Sequence, residues 1–87
     1  MSTIHLSIEQ PNTPQVILTD AQMAEDLRSY LTSELREQPS LYEVGGEWRL
    51  ELSAYWPTVE AAIDKFLHAK QPTKTRRDQT IVWESDD

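Results

Sequence analysis

The sequence has 87 residues, a net charge of −7 and no cysteine. This length is enough for one domain, and the absence of cysteine excludes disulfides, a thiolate nucleophile and a zinc–thiolate site. No segment approaches the ~20 apolar residues of a membrane span, and the N-terminus lacks the pattern of a secretory signal. We therefore predict a cytoplasmic protein that does not interact with membranes.

The first predicted element is a β-strand. Residues 3–9 alternate apolar and polar side chains, which is the period of a half-buried strand. Residues 11–14 contain two prolines, which end the strand because proline has no N–H to give to a sheet. Residues 15–18 are a short apolar run that fits either a second, brief strand or an extended approach to a helix.

A helix is predicted to begin near Thr19. Thr19 and Gln22 have the spacing of a capping box, and Asp20 suits the positive end of the helix dipole. Pro39 disfavours a helical conformation in the residue before it, so the helix should end there. The apolar side chains recur at helical spacing and should face the core: Met23, Leu27, Tyr30, Leu31 and Leu35.

Two consecutive glycines between residues 41–44 and 47–56 predict a β-hairpin. A two-residue loop would place Glu43 opposite Trp48, whereas a three-residue loop places Val44 there. The three-residue loop makes the apolar faces of the two strands coincide. We therefore predict that register.

A second helix is predicted from Pro57 to about Lys70, because proline is favoured in the first turn of a helix. Its core face comprises Val59, Ala62, Ile63, Phe66 and Leu67. Residues 65–77 hold five of the eight basic residues and no acidic one. We predict a compact core over residues 1–70, a basic linker over 71–78, and a short final strand with an acidic end over 79–87.

These elements predict an α+β domain with a small antiparallel sheet and two helices on one face. Their order, β-α-β-β-α-β, is that of the ferredoxin-like plan. The alternative is a three-stranded sheet with two helices and a disordered C-terminal tail.

No residue pattern indicates catalysis. His5 lies on the polar face of a strand and His68 near a helix end, where a histidine commonly interacts with the dipole. The sequence has no phosphate-binding loop, dinucleotide-binding glycine pattern or metal-binding spacing. We predict a protein that is not an enzyme and that binds no metal or cofactor.

Two sets of residues are candidates for contact with a partner. Acidic and aromatic side chains form the first set, because tryptophan and tyrosine dominate many interfaces and the acidic body attracts basic surfaces. This set is Glu25, Glu34, Glu37, Glu47, Tyr55, Trp56 and Trp83. The second set consists of cations that could contact phosphates: Lys70, Lys74, Arg76 and Arg77.

The leading functional hypothesis is an acidic interaction module, an adaptor or inhibitor that docks on a basic protein surface. In its sharpest form it would mimic nucleic acid, as some small phage-encoded inhibitors do. One alternative is a weak nucleic-acid or ribonucleoprotein binder that uses residues 70–77. A second alternative is a structural subunit of an oligomer, including a homodimer.

Overall fold

A computed structural model describes residues 2–85. Met1 and residues 86–87, which include the predicted acidic end, lie outside the described residues. The chain forms eight main elements in the order β1 (Ser2–Ser7), β2 (Gln15–Leu18), α1 (Ala21–Leu35), β3 (Ser40–Val44), β4 (Glu47–Glu51), α2 (Trp56–Phe66), β5 (Thr73–Arg77) and β6 (Thr80–Ser85). A short 3₁₀ turn, His68–Lys70, follows α2.

The six strands form one antiparallel sheet in the order β3-β4-β2-β1-β6-β5. The α+β class was predicted, but the ferredoxin-like β-α-β-β-α-β order was wrong. Residues 15–18 form a full strand between β1 and β4, and part of the predicted linker forms β5. The fold is therefore three hairpins joined by two helices, with the β1–β2 hairpin at the centre of the sheet.

One face of the sheet packs against the helices and forms the core. The register places Ile4 opposite Leu18 and Trp83, and Leu6 opposite Val16 and Ile81. All six side chains are buried in one cluster with residues from both helices. This confirms the alternation predicted for the first strand. Ile4 and Leu6 face the helices and are buried, whereas His5 between them faces the other side and is half-buried.

The first helix begins one residue later than predicted. Asp20 is the N-cap, and its Oδ1 accepts hydrogen bonds from the backbone N–H groups of Gln22 and Met23, at 2.9 and 3.2 Å. Aspartate is as good a cap as threonine and also adds negative charge at the positive helix end. The last helical residue is Leu35, and the C-cap that follows it, Arg36, has a left-handed backbone with φ of 54°.

The β3–β4 hairpin has a two-residue loop, so the predicted three-residue loop was wrong. Gly45 and Gly46 both have positive φ, 58° and 85°, and Glu43 lies opposite Trp48. Two left-handed residues make the turn whose twist matches that of the strands, and this outweighs the mismatch between a carboxylate and an indole. Glu43 tolerates the position because it is exposed at the sheet edge.

Replacing Gly46 by alanine is expected to lower the free energy of unfolding by about 1 kcal/mol, because an L-residue is strained at this φ. Gly45→Asn is the matched control, since asparagine is well accepted at the first position of this turn. A Cβ at either glycine meets no atom within 4 Å, so backbone strain is the effect being measured. Urea unfolding followed by circular dichroism gives both values, and equal losses would contradict the assignment.

Candidate interaction site

The structure brings together four of the seven residues predicted to bind a partner. Glu34 and Glu37 lie at and just beyond the C-terminal end of α1, and Tyr55 and Trp56 lie where α2 begins. Glu25 lies in the N-terminal half of α1, and its carboxylate is 4.0 Å from the guanidinium of Arg28. The remaining two residues, Glu47 and Trp83, lie elsewhere in the fold.

Loop contacts hold these two helix ends beside each other. The Glu37 carboxylate accepts a hydrogen bond from the backbone N–H of Ser53, which ties the end of α1 to the β4–α2 loop. The same loop is fixed to the β1–β2 turn, because the N–H of Leu52 donates to Pro14 at 3.2 Å and that of Trp56 donates to Pro11 at 3.0 Å. The position of Tyr55 is therefore set by contacts with two other segments, the end of α1 and the β1–β2 turn.

A shallow groove runs between the end of α1 and the start of α2. Apolar side chains form much of its wall, and an ion pair spans it, with Nζ of Lys65 3.0 Å from Oε1 of Glu34. This hydrogen bond and the charge of Glu34 raise the pKa of Lys65 above its usual value. The groove is lined by Glu34, Leu35, Pro57, Thr58, Ala61, Ala62 and Lys65.

We use the name helix-end surface for Glu34, Leu35, Glu37, Tyr55 and Pro57. Tyr55 is 55% exposed. Within residues 2–85, Tyr55 and Val44 are the two large hydrophobic residues whose exposure reaches half. Leu35 and Pro57 are half-buried, so part of each apolar side chain remains accessible. The surface thus combines an aromatic ring, apolar area and two carboxylates, which is a typical composition for a contact site.

Trp56 is less available than Tyr55. Its ring is half-buried, and the guanidinium of Arg76 lies 4.9 Å from its centroid. A cation over an indole face at this distance is an attractive contact. Trp56 therefore connects β5 to the start of α2. Its ring also lies next to that of Tyr55, with 6.2 Å between the two ring centroids.

Trp83 is a core residue, 1% exposed, and offers no surface to a partner. Its Nε1–H donates to Oδ1 of Asp64 at 2.9 Å, and Nζ of Lys74 lies 5.5 Å from its ring centroid. Lys74 also contacts Oε2 of Glu60 at 2.7 Å and Oδ2 of Asp64 at 3.1 Å. We call Glu60, Asp64, Lys74 and Trp83 the α2–hairpin network, because it joins α2 to the β5–β6 hairpin.

The cations predicted to contact nucleic acid do not share one surface. Side chains alternate along β5, so Lys74 and Arg76 lie on the helix side of the sheet and Arg77 on the opposite side. Lys74 is held by two acids and Arg76 by Trp56. Lys70, in the 3₁₀ turn, also has an interaction partner. A continuous path of free cations is therefore missing from this part of the described chain.

The open face of the sheet, on the side away from the helices, carries a polar network at its β3–β4 end. The Tyr42 hydroxyl donates to Oε1 of Glu51 at 2.7 Å, and Arg49 pairs with Glu47 at 3.1 Å. The hydrogen bond to Glu51, with smaller effects of desolvation and of the Glu51 charge, raises the pKa of Tyr42. Tyr55 does not lie on this face, because it lies in the β4–α2 loop.

Sequence reasoning missed the groove and Tyr42. Ala61 lies outside the core stripe of α2, and only its position beside Leu35 in the folded chain makes it part of an apolar surface. Tyr42 was treated as one residue of a hairpin arm, and its hydrogen bond to Glu51 depends on the register that was predicted wrongly. The signal that could have found Tyr42 is an aromatic residue on a strand whose hairpin partner, β4, carries the acids Glu47 and Glu51.

Comparisons add no relative from which a function could be transferred. No protein-family model matches the sequence, and neither the curated proteins nor the solved structures give a match. Within residues 2–85, no three histidine, aspartate or glutamate side chains come together as a metal site would require. No helix in the same range is long and apolar enough to cross a membrane.

Proposed function

We propose that this protein is an acidic interaction module that docks on a basic surface of a partner protein through its helix-end surface. The observation that carries the proposal is the exposed Tyr55, two residues before Pro57 of the groove between the helices. Glu34 lines this groove, and Glu37 binds the backbone of Ser53 in the same loop as Tyr55. Aromatic residues such as tyrosine are enriched among the few residues that supply most of the binding energy of an interface, and charges around them affect the association rate. The net charge of −7 would steer a basic partner toward it.

Internal ion pairs occupy many of the cations and leave much of the acidic charge uncompensated. Arg28, Arg49, Lys65 and Lys74 each pair with acids of the same chain. Eight acids in residues 2–85 take no part in these ion pairs: Glu9, Asp20, Asp26, Glu37, Glu43, Glu51, Asp78 and Glu84. Seven of the eight are exposed, so the field outside the molecule is negative.

The two other forms of the hypothesis have less support. A nucleic-acid mimic requires acids in one continuous surface, but the unpaired acids lie at both ends of the sheet, with Asp20 and Glu43 at one end and Glu9 and Asp78 at the other. A nucleic-acid binder requires free cations, and those of β5 are divided between two faces of the sheet.

The test compares two double variants in affinity capture from the cells that produce the protein. Glu34→Gln with Tyr55→Ala removes one acid and one exposed hydrophobic residue from the helix-end surface. Glu43→Gln with Val44→Ala removes the same kinds of group from the β3–β4 hairpin, and Val44 is the other large hydrophobic residue that is so exposed. We expect the first variant to weaken capture about tenfold or more and the second to leave it unchanged.

Salt provides the second arm of the test. Binding between an acidic surface and a basic one should weaken when ionic strength rises, because the Debye length falls from ~10 Å at 0.1 M to ~3 Å at 1 M. Capture that survives the Glu34 and Tyr55 changes, or that strengthens with salt, would contradict the proposal. Circular dichroism of both variants checks that each remains folded.

A further inference from the structure

The β3 edge of the sheet has unused backbone hydrogen-bonding groups. β3 pairs with β4 alone, and the two-residue loop makes Val44 and Glu47 a hydrogen-bonded pair. Hydrogen-bonded pairs then alternate along the hairpin, so the N–H and C=O groups of Leu41 and Glu43 point away from β4. No backbone hydrogen bond beyond the sheet pairing involves either residue within the described chain.

The two edges of the sheet differ in how they resist strand pairing. The β5 edge carries Lys74, Arg76 and Arg77, and charged side chains on an edge strand discourage the addition of another strand. The β3 edge, with the sequence SLYEV, carries one charge, no proline and no bulge, and ends in the 50% exposed Val44. An edge strand that lacks these protections is the expected place for another strand to add.

We propose that β3 pairs with β3 of a second copy in an antiparallel, two-fold arrangement centred on Tyr42. The outward groups of Leu41 then face those of the second copy's Glu43, and the reverse pair follows by symmetry. This gives up to four backbone hydrogen bonds between the copies and joins two six-stranded sheets into one. Two-fold dimers are the commonest closed assembly, because one patch serves both subunits.

The sequence of β3 selects this register over its neighbours. A shift in one direction pairs Glu43 with the second copy's Glu43, which places like charges opposite each other. A shift in the other direction places Pro39 opposite Glu43, and proline has no N–H to donate. The central register avoids both faults, and it places the two Tyr42 rings beside each other on the open face as a cross-strand aromatic pair.

Charge makes the dimer weak at low salt and stronger at high salt. Each copy has a net charge of −7, so the two repel each other as whole molecules. At the edge itself the repulsion is small, because Glu43 is the one charged residue of β3 and Glu47 on β4 is paired with Arg49 at 3.1 Å. Salt screens this long-range repulsion, so dimerisation should strengthen when salt is added. The proposed binding to a basic partner should weaken under the same change.

The absence of cysteine permits a direct test by disulfide trapping. In the two-fold register, residue 42 lies opposite itself in a pair without backbone hydrogen bonds, whose Cα atoms are ~4.5 Å apart, within disulfide range. We expect Tyr42→Cys to form disulfide-linked dimers at least tenfold faster than Thr75→Cys under mild oxidation at 0.5 M NaCl. Thr75 is the matched control, because it also lies on the open face in the middle of an edge strand.

Sedimentation of the unmodified sequence gives a second readout that needs no cysteine. Dimer should appear as protein concentration rises, and more of it at 1 M than at 0.1 M NaCl. Glu43→Pro removes one outward N–H without affecting a hydrogen bond to β4, and we expect it to remain monomeric. Equal cross-linking at positions 42 and 75, or a monomer at every salt and concentration, would overturn the proposal.

A strand from a different protein would also overturn it and would be recognised by hydrogen exchange. In that case the amides of Leu41 and Glu43 become protected when the captured partner is added to a protein that sediments as a monomer. Failure of self-pairing leaves the helix-end surface untouched, because Glu34 and Tyr55, which are changed to test that surface, lie outside β3. In the capture experiment only the control variant, Glu43→Gln with Val44→Ala, lies in β3.

Discussion

Replacing Trp83 by alanine is expected to lower the free energy of unfolding by about 3–5 kcal/mol. Trp83 is 1% exposed, and it lies on β6 between Ile4 of β1 and Lys74 of β5. Truncation leaves a cavity between the central hairpin and the last one, and it removes the hydrogen bond to Asp64. Because small domains are stable by only about 5–15 kcal/mol, this loss is a large fraction of the total stability.

Two further variants separate the causes of this loss. Trp83→Phe keeps most of the ring and removes the Nε1–H donor, so it should cost less than the alanine change. Trp48→Ala truncates a tryptophan that is half-buried on β4 and should also cost less, because fewer contacts are lost. Urea unfolding followed by circular dichroism measures all three, and a Trp83→Ala variant as stable as Trp48→Ala would contradict the role given to Trp83.

Replacing Lys74 by methionine is expected to lower the free energy of unfolding by about 1–2 kcal/mol. This value allows for solvent screening, because the lysine is partly exposed. The change leaves the carboxylates of Glu60 and Asp64 close together without their shared cation. The matched control is Lys65→Met, which removes a more exposed lysine that has a single acidic partner, Glu34. An isolated surface ion pair of that kind should contribute less than the contacts of Lys74, so the Lys65 variant should lose less stability.

The Lys74 contribution should also depend on pH. Burial disfavours the charged ammonium group, but the hydrogen bonds to Glu60 and Asp64 and the charges of both acids outweigh it, so the pKa of Lys74 is raised. A raised pKa means that the contribution is fully present below the pKa of an unfolded lysine, ~10.4, and is lost as pH rises through the folded value. The stability loss caused by Lys74→Met should become smaller at alkaline pH. Equal stability losses for the two lysine variants at pH 7, or a Lys74→Met loss that does not decrease at alkaline pH, would contradict this account.

The sequence predicted those elements whose apolar pattern is strong. The stripes of both helices and the alternation of β1 correspond to buried positions, because burial of one face is what such patterns record. The run at residues 80–84 lies within β6 and supplies Ile81 and Trp83 to the core. Both helices were therefore predictable, and so was the side of β1 that faces them.

The sequence did not predict β5, because every side chain of Thr73–Arg77 is exposed. This edge strand has no alternation of apolar residues, and its basic composition resembles that of a linker. Its cations Lys74 and Arg76 contact α2, at Glu60, Asp64 and Trp56. The hairpin register was missed for a different reason. Backbone twist at two glycines determined the loop length, and the side-chain pairing followed from it.

Part of the candidate site was predictable from residue type alone. Tyr55, Glu34 and Glu37 were selected as an aromatic and two acids, and the fold places them at neighbouring helix ends. The groove that joins them was not predictable, because Leu35 and Ala61 are 26 positions apart and meet only through the packing of α1 against α2. Composition thus indicated which residues could bind, and tertiary structure determined which of them act together.

The strand order also sets when this chain can complete its core during synthesis. β1 is made before the other five strands of the sheet, but its neighbours in the finished sheet are β2 and β6, and β6 is made after the other five. Until β6 has been made, one edge of β1 stays unpaired and Ile4 and Leu6 lack Trp83 and Ile81 beside them. A nascent chain therefore carries an apolar strand with one unpaired edge while residues 8–79 are synthesised, and this sheet can be completed only after β6 has left the ribosome.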